Sequence, residues 1–527
     1  MQGRVGPGRL LVVSNRLPLT LYNGEDGQWH ARASSGGLVR AMLPVLQDRG
    51  GVWIGWPGIT PGANPGANPD ITPGANPDAN PDDPEQIRPV LAAVGRQSGF
   101  DYQPVHLTLE EQRGFYEGFS NEIIWPLFHD LVTYCHFDAG YWDIYERVNR
   151  KFTRALERVC QPTDLVWVHD YHLMQVAYFL RQQGRHARIG FFLHIPFPSP
   201  EIFMKLPWRF QILRGLAAYD VLGFQTTRDR RNFLDCMQTL HEFSTRGRGA
   251  VLGLRVNDQR LGLPRNGGPG PTREIRVGSF PIGIDDAQFN DLARSESVRT
   301  QARWLADNSH SQQMVLGVDR LDYTKGLPQK VDAFANVLER YPELCGRLTL
   351  VQHVVPSRLN IPDYHRLRSE LEQKISAVNG RFSQAGWVPI HYMFHSLPLD
   401  TLIAYYQAAD IALITPPKDG MNLVAKEFCA ARSSGDGVLI LSEFAGSAVQ
   451  LQDGALLVNP YDVEGVADAL YRAFKMPPAE RRERMQRLRR AVRGHDVFHW
   501  ADTFLATLSG QRLGHFPVPG DYIPREQ

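Results

Sequence analysis

The 527-residue chain has no apolar run long enough to cross a bilayer as a helix, which argues against a membrane span. It also lacks an excess of charge. A formal net charge of +1 leaves no global field to draw in nucleic acid or an anionic membrane, so neither is expected as a partner. Cysteine is sparse. Cys135, Cys160, Cys236, Cys345 and Cys429 are scattered, odd in number and never spaced as CxxC, which excludes a disulfide framework and fits reduced, mostly buried thiols. The start, Met1-Gln2-Gly3-Arg4, passes almost directly into an apolar strand without the apolar core of a signal peptide. A cytoplasmic protein is therefore expected. Walker and dinucleotide spacings are missing as well. The glycine turn Ser34-Ser35-Gly36-Gly37-Leu38, leading into a helix over Val39–Leu46, lets backbone come close to a ligand and says no more.

At this length two large domains are the natural division. Short apolar strands alternate with amphipathic helices: Leu10–Ser14, Leu165–His169, Ile189–His194, Val221–Gln225, Ile275–Phe280, Val315–Val318, Leu348–Val355, Ile411–Thr415, Val438–Ser442 and Leu456–Val458 read as strands. Asp143–Arg158 and Pro328–Arg340 are among the helices between them. Such alternation predicts an α/β fold with parallel sheets covered on both faces, whose ligands bind beyond the carboxyl ends of strands. Asn15, Arg16, Asp170, His194, Arg320, Arg358 and Asp419 all fall at or just past such ends. Residues 59–84 differ, because the repeated Ile-Thr-Pro-Gly-Ala-Asn-Pro and its Ala-Asn-Pro neighbours exclude helix and strand and predict a mobile insertion. The Gly- and Arg-rich stretch Thr245–Thr272 reads as a solvated surface loop.

The most informative segment is Pro417-Lys418-Asp419-Gly420-Met421-Asn422-Leu423-Val424-Ala425-Lys426-Glu427. It follows a buried-strand pattern and precedes helix-forming residues, so its loop places free backbone N–H groups at a helix N-terminus. That arrangement binds anions without basic side chains. Asp419 and Glu427 flank those amides. Carboxylates repel phosphate and accept from hydroxyls, so amides for a diphosphate with acids for sugar hydroxyls suit a nucleotide-sugar site. Alone, the segment reads more readily as an acidic loop with a helix N-cap.

A second strand-to-helix junction, Val318-Asp319-Arg320-Leu321-Asp322-Tyr323-Thr324-Lys325-Gly326-Leu327-Pro328, sets two cations five residues apart. A reaction that expels a diphosphate needs such charge where negative charge develops. The plainer reading pairs Arg320 with Asp322 at the surface. Arg358 and Arg16 each end a strand and would suit a phosphorylated acceptor. Tyr116, Trp125 and Trp56 offer faces to a sugar ring, although aromatics more often fill cores. Asp170 facing a sugar hydroxyl is favoured over metal binding by His169 and His172, for which no third and fourth ligands are evident, so no metal site is expected.

Together these segments closely resemble retaining nucleotide-sugar glycosyltransferases of the trehalose-6-phosphate synthase family, from Leu10 to about Phe504. The resemblance rests on Ser14-Asn15-Arg16, Gly36-Gly37-Leu38, Trp167-Val168-His169-Asp170-Tyr171-His172, Phe192-Leu193-His194-Ile195-Pro196-Phe197-Pro198, Arg320-Leu321-Asp322-Tyr323-Thr324-Lys325-Gly326 and Asp419-Gly420-Met421-Asn422-Leu423-Val424. It implies a GT-B fold: an acceptor-binding Rossmann-like domain over 1–286, a donor-binding one over 287–484 facing it across a cleft, and a crossover helix over about 485–511 that returns to the first. It further implies transfer of glucose from UDP-glucose to glucose 6-phosphate without metal or other cofactor. Arg16, Tyr116, Trp125, Asp170 and Arg358 are the implied acceptor contacts. Gly36, Gly37, Arg320, Lys325, Leu397, Asp419, Met421, Asn422, Leu423, Val424, Ala425, Lys426 and Glu427 are the implied donor contacts, with Glu427 on the ribose and Asp419 on the glucose. Arg320, Lys325, His194 and Asp170 are the implied catalytic set, and Trp125 and Ile195 the implied determinants of anomer. Lys418 stands where the family commonly has Arg, and the residues near Leu397 follow its pattern loosely. No carboxylate pair is set as nucleophile and acid for double displacement. A glucosylglycerol-phosphate synthase, using ADP-glucose and glycerol 3-phosphate, and a non-catalytic sugar-phosphate sensor remain alternatives. Homo-oligomerisation is left open.

Overall fold

In the computed structural model, residues 8–23, 28–33, 37–58, 84–185, 187–241, 244–246, 249–264, 272–309 and 311–511 are described. The Pro/Asn insertion read at 59–84 lies outside these except for Pro84, and Gly36 lies outside them too. The described residues up to Pro281 form one compact unit with those from Phe498 onward, and Ile282–Val497 forms a second.

The first unit is built on a nine-stranded sheet in the order Asp101–Pro104, Gly51–Trp56, Leu10–Arg16, Leu165–His169, Arg188–Phe192, Val221–Phe224, Thr272–Ser279, Val251–Asn257 and Ser244–Arg246. The first seven pair in parallel. Leu11, Val12 and Val13 are wholly buried, as a parallel strand covered on both faces requires. The last two strands are antiparallel, and they overturn the reading of Thr245–Thr272 as loop throughout. Leu254 and Val256 alternate inward on that edge, a short period-2 signal that the surrounding Gly and Arg obscured.

The second unit holds a six-stranded, wholly parallel sheet: Ile390–Phe394, Leu348–Val355, Gln313–Arg320, Ile411–Ile414, Val438–Ser442 and Leu456–Val458. Its strands alternate between two cores. Val315 packs into one apolar cluster with Leu350 and Leu413, while Met314, Leu316 and Val318 pack into another with Ile403 and Phe428. Counted from Gln313–Arg320, the spatial order is 3-2-1-4-5-6, that of Rossmann sheets. The seven parallel strands of the first unit repeat it, counted from Leu10–Arg16. In each set of parallel strands the strand order therefore reverses at one place. In the first unit this is between Leu10–Arg16 and Leu165–His169, and in the second between Gln313–Arg320 and Ile411–Ile414. At a reversal the neighbouring connections leave in opposite directions and open a crevice beyond the strand ends.

Where one terminal helix over 485–511 was expected, two are present. Pro478–Arg493 packs in the second unit, and Val497–Leu508 carries the chain back to the first, where Trp500 and Phe504 are buried. Gly494, His495 and Asp496 separate them.

The loop after Ile411–Ile414 is braced from behind by the turn after Val438–Ser442. Asp419 N donates to Phe444 O at 3.3 Å, Gly446 N to Asp419 O at 3.1 Å, and Ser447 N to Met421 O at 2.9 Å. So close an approach needs a glycine, because a Cβ on Gly446 would stand 1.9 Å from the Gly420 carbonyl oxygen. Gly446→Ala is expected to lower folding stability by about 2 kcal/mol, read as a drop in denaturant midpoint at unchanged slope. A midpoint equal to the parent's would show the brace to be dispensable.

Candidate functional site

At the reversal point of the first sheet, Arg16 ends one strand and Asp170 follows the other. The Arg16 guanidinium lies over Trp56, 4.9 Å from its ring centre, and 5.7 Å from that of Tyr116. Tyr116 in turn stacks on His172 at 5.8 Å and 13°. The segment that presents Tyr116 winds more widely than an α-helix. A capping box, Thr108 with Glu111, starts the segment, and Gln112–Ile124 then winds as a π-helix. Asn121 Nδ2 donates five residues back to Tyr116 O at 2.7 Å, and the Tyr171 hydroxyl donates to Asn121 Oδ1 at 2.8 Å. π-Turns are uncommon and gather at functional sites.

Asp170 adopts a left-handed backbone, φ 72°, unusual for a residue other than glycine. Its carboxylate accepts from His194 N at 3.3 Å and its own N–H donates to Phe192 O at 2.8 Å, so it ties two strand ends together. Beneath it His169 Nδ1 and His194 Nε2 are 3.1 Å apart. Burial pushes His194 down to about 3 and His169 well below the ordinary range, so both imidazoles are neutral. Trp125 and Ile195 are nearly buried, each 5% exposed, and Trp125 packs against His129 and Tyr171.

The second unit concentrates charge at its own reversal point. Asp322, wholly buried, takes its first oxygen to Thr324, 3.0 Å from the backbone N and 2.9 Å from Oγ1. Its second oxygen faces cations: Arg358 Nη1 at 3.3 Å and Arg320 Nη2 at 3.8 Å. Tyr364 closes the cluster, its hydroxyl 2.5 Å from Arg358 Nη1. Burial alone would raise the Asp322 carboxyl, but Arg358, Arg320 and Lys325 outweigh it and hold the group below its ordinary 3.8. The two arginines differ in freedom. The Arg358 side chain is 5% exposed and that of Arg320 47%, so Arg358 is locked while Arg320 reaches solvent. The plain reading of Arg320 with Asp322 as a surface pair is thus half right, since the pair exists but its carboxylate is core.

Lys325 turns the other way and meets Asp419 at 2.5 Å, where Asn422 Nδ2 also donates at 3.0 Å. Gly326, left-handed at φ 63°, allows that approach, because a Cβ there would stand 2.8 Å from Pro417 Cδ. Asn422, also left-handed, caps the helix Leu423–Ala431 by accepting from Ala425 N at 3.3 Å. Glu427 is held by the Tyr406 hydroxyl at 2.9 Å. Leu397 is half-buried beyond Ile390–Phe394, and Met421 is buried under the loop.

Lys426 was grouped with the donor contacts, but its ammonium is buried and donates to Ile282 O at 2.6 Å, so only its backbone is available at the helix start. Burial pushes it down to about 7. Arg358, expected with Arg16 at the phosphorylated acceptor, shares the Asp322 carboxylate with Arg320. A change at Arg358 must therefore disturb Arg320 as well. Sequence reasoning passed over Asp322 as organiser, Tyr364, Tyr406 and the His169–His194 pair. Asp322 alone carried a usable signal, an acid two residues from an arginine at a strand end. Gly37, the first residue of the helix Gly37–Arg49, is exposed. Among the described residues no group of three or more His, Cys, Asp or Glu could hold a metal ion. Nor is any helix among them long and apolar enough to cross a membrane.

Two Rossmann-like sheets, each with polar residues gathered at its reversal point, define a glycosyltransferase of the GT-B class. The chain belongs to glycosyltransferase family 20, whose family model matches residues 8–510. It is 39% identical over 509 residues to a trehalose-6-phosphate synthase of Mycobacterium sp. (strain JLS), covering 96% of this chain and 98% of that one. Among solved structures it resembles a UDP-forming α,α-trehalose-phosphate synthase of Burkholderia xenovorans in complex with glucose 6-phosphate. The two are 32% identical with a TM-score of 0.80, over 95% of this chain and 100% of that one. An E. coli structure bound with UDP-2-fluoro glucose gives 34% identity and a TM-score of 0.78, over 95% of this chain and 99% of that one.

Asp322→Asn keeps the shape but leaves Arg358 buried without its counter-charge, a change that costs about 3–5 kcal/mol. The sign of the pH dependence follows from the depressed carboxyl. The stability Asp322 contributes is complete above 3.8 and is lost as pH falls through the lower folded-state value. Denaturant unfolding should show a constant deficit for the variant at neutral and mildly acid pH, narrowing only below the ordinary carboxylate range. A deficit that vanished near pH 6 would assign it to another group.

Proposed function

We propose that this chain is a retaining hexosyltransferase that moves glucose from UDP-glucose to glucose 6-phosphate, giving α,α-trehalose 6-phosphate and UDP. The carrying observation is the Asp322 cluster. One buried carboxylate organises Arg320, Arg358 and, at longer range, Lys325, next to the capped helix start at Asn422. A nucleoside diphosphate is the ligand such a site suits, because backbone N–H groups and cations both favour it. Full-length kinship to UDP-forming trehalose-phosphate synthases supports the choice of substrates.

In this reading Arg320 and Lys325 stabilise charge developing on the leaving diphosphate oxygen. Lys325 then exchanges Asp419 for phosphate as the donor binds, which frees Asp419 to accept from glucose hydroxyls. Glu427, oriented by Tyr406, takes the ribose hydroxyls, while the backbone from Met421 to Lys426, with Gly36, Gly37 and Leu397, frames the nucleotide. Arg16, Tyr116, Trp125, Asp170 and Arg358 serve the phosphorylated acceptor, and Trp125 with Ile195 governs the anomer formed. The acceptor hydroxyl attacks the anomeric carbon on the face the diphosphate leaves, and the departing oxygen takes the hydroxyl proton. One bond forms, one breaks, and the proton ends on UDP. The protein supplies position and charge. We place it in the cytoplasm and give it no metal.

The test is a product assay with UDP-, ADP- and GDP-glucose offered against glucose 6-phosphate and glycerol 3-phosphate, with and without EDTA. Trehalose 6-phosphate from the UDP-glucose and glucose 6-phosphate pair, unaffected by EDTA, is expected. Product from ADP-glucose and glycerol 3-phosphate alone would make it a glucosylglycerol-phosphate synthase, and no product from any pair would favour a sensor.

Arg320→Ala and Lys325→Ala should each lower kcat by roughly a hundredfold or more, about 3–4 kcal/mol of barrier, with little change in KM for the acceptor. Steady-state kinetics with both substrates varied decides it. Near-normal kcat with only a raised donor KM would remove the leaving-group role.

A further inference from the structure

The pair His169–His194 is not explained by packing alone. The two rings sit at the ends of adjacent strands, Leu165–His169 and beyond Arg188–Phe192, with Nδ1 of the first 3.1 Å from Nε2 of the second. One nitrogen must carry the shared proton, and the surroundings decide which. His169 is wholly buried and its Nε2 has no hydrogen-bond partner. Rings of Trp167 and Trp500 lie 4.7 and 6.2 Å from it, and their indole N–H groups are buried without acceptors too. If His194 donated, His169 would carry its own proton on Nε2 and add another unsatisfied buried N–H beside those indoles. Orphaned buried donors are rarer and costlier than an unused lone pair. If His169 donates from Nδ1, its Nε2 keeps only a lone pair and the penalty falls away.

We infer that His169 is a positioning residue that fixes His194 as the Nδ1–H tautomer, so that His194 meets substrate as a hydrogen-bond donor and not as a base. With Nε2 occupied by His169, only Nδ1 of His194 is left for a ligand. Its backbone N–H is already committed to Asp170, so ring and main chain are both held at the strand end. The second ring nitrogen of a histidine is set by what the first one bonds, and here the first bonds a neutral imidazole. A donor fixed in this way would hydrogen-bond a sugar oxygen in the reacting pair. It would leave proton removal to the departing diphosphate, as the transferase reading requires. Only the activity arm of the test below rests on that reading.

Two near-isosteric replacements separate positioning from mere packing. Asn at position 169 offers an amide N–H close to where Nδ1 stands, whereas Leu fills the same space with no donor. His169→Leu should lower kcat by roughly tenfold to a hundredfold with KM for the donor nearly unchanged. His169→Asn should keep kcat within a few-fold of the parent. Independently of turnover, the ring ¹⁵N signals of His194 in the ¹⁵N-histidine-labelled full chain, identified by their loss in His194→Phe, should show a protonated Nδ1 and a bare Nε2. In His169→Leu they should move toward a tautomer mixture. A bare Nδ1 on His194 in the parent would overturn the inference, as would equal kcat losses in the Asn and Leu variants. If no substrate pair reacts, the ¹⁵N signals still decide the tautomer, so that outcome would sink the transferase reading alone.

Discussion

A single buried carboxylate, Asp322, is the constraint on which the charged site depends. Cations repel one another, and a cluster of Arg320, Arg358 and Lys325 beside a helix start would spread apart unless something held it. A negative charge placed in the core does this at a desolvation cost, which the paired arginine and the Thr324 bonds offset. Because Asp322 is fixed by its own turn, the cations are fixed relative to the strand Gln313–Arg320. The site is thus organised before any anion arrives, which is where electrostatic stabilisation of a transition state gains most.

The second unit shapes its charged end through rigid backbone as much as through side chains. Gly326 and Gly446 remove the two Cβ atoms that would hold the facing loops apart. Asn422, in a left-handed conformation, closes the loop and opens the helix in one residue. The Lys325–Asp419 pair then joins those loops with partners of opposite sign.

The first unit works on a different principle. Its polar groups are largely neutral, with Arg16 spread over the aromatic faces of Trp56 and Tyr116 and two uncharged imidazoles beneath Asp170. Cation–π contact holds the face of the Arg16 guanidinium against those rings. Side-chain rigidity comes from the network Tyr171–Asn121–Tyr116, which couples the strand end to the π-helix. Two units of like topology therefore present unlike chemistry at the same topological place.

Much of this was legible in the residues. Strand patterns located Leu165–His169, Leu348–Val355, Val438–Ser442 and Leu456–Val458 to the residue, because buried parallel strands are continuous apolar runs with sharp ends. A helix over Val424–Arg432, one residue displaced from the observed Leu423–Ala431, and the polar residues at strand ends were also plain, since both are local consequences of period and breaker residues. Antiparallel edge strands near Val251–Asn257 were not, because their alternation is short and diluted by glycine and arginine. Nor could a pattern show that Asp322 is buried while Arg320, two residues away, is half exposed, or that Lys426 turns from the donor side toward Ile282. Local sequence determined which elements form and which chemistry sits at their ends, since those depend on neighbours within a few residues. Only the tertiary structure decided which ends meet. Strand order sets the two reversal points and so selects, from many polar strand ends, the few that share a carboxylate or a proton.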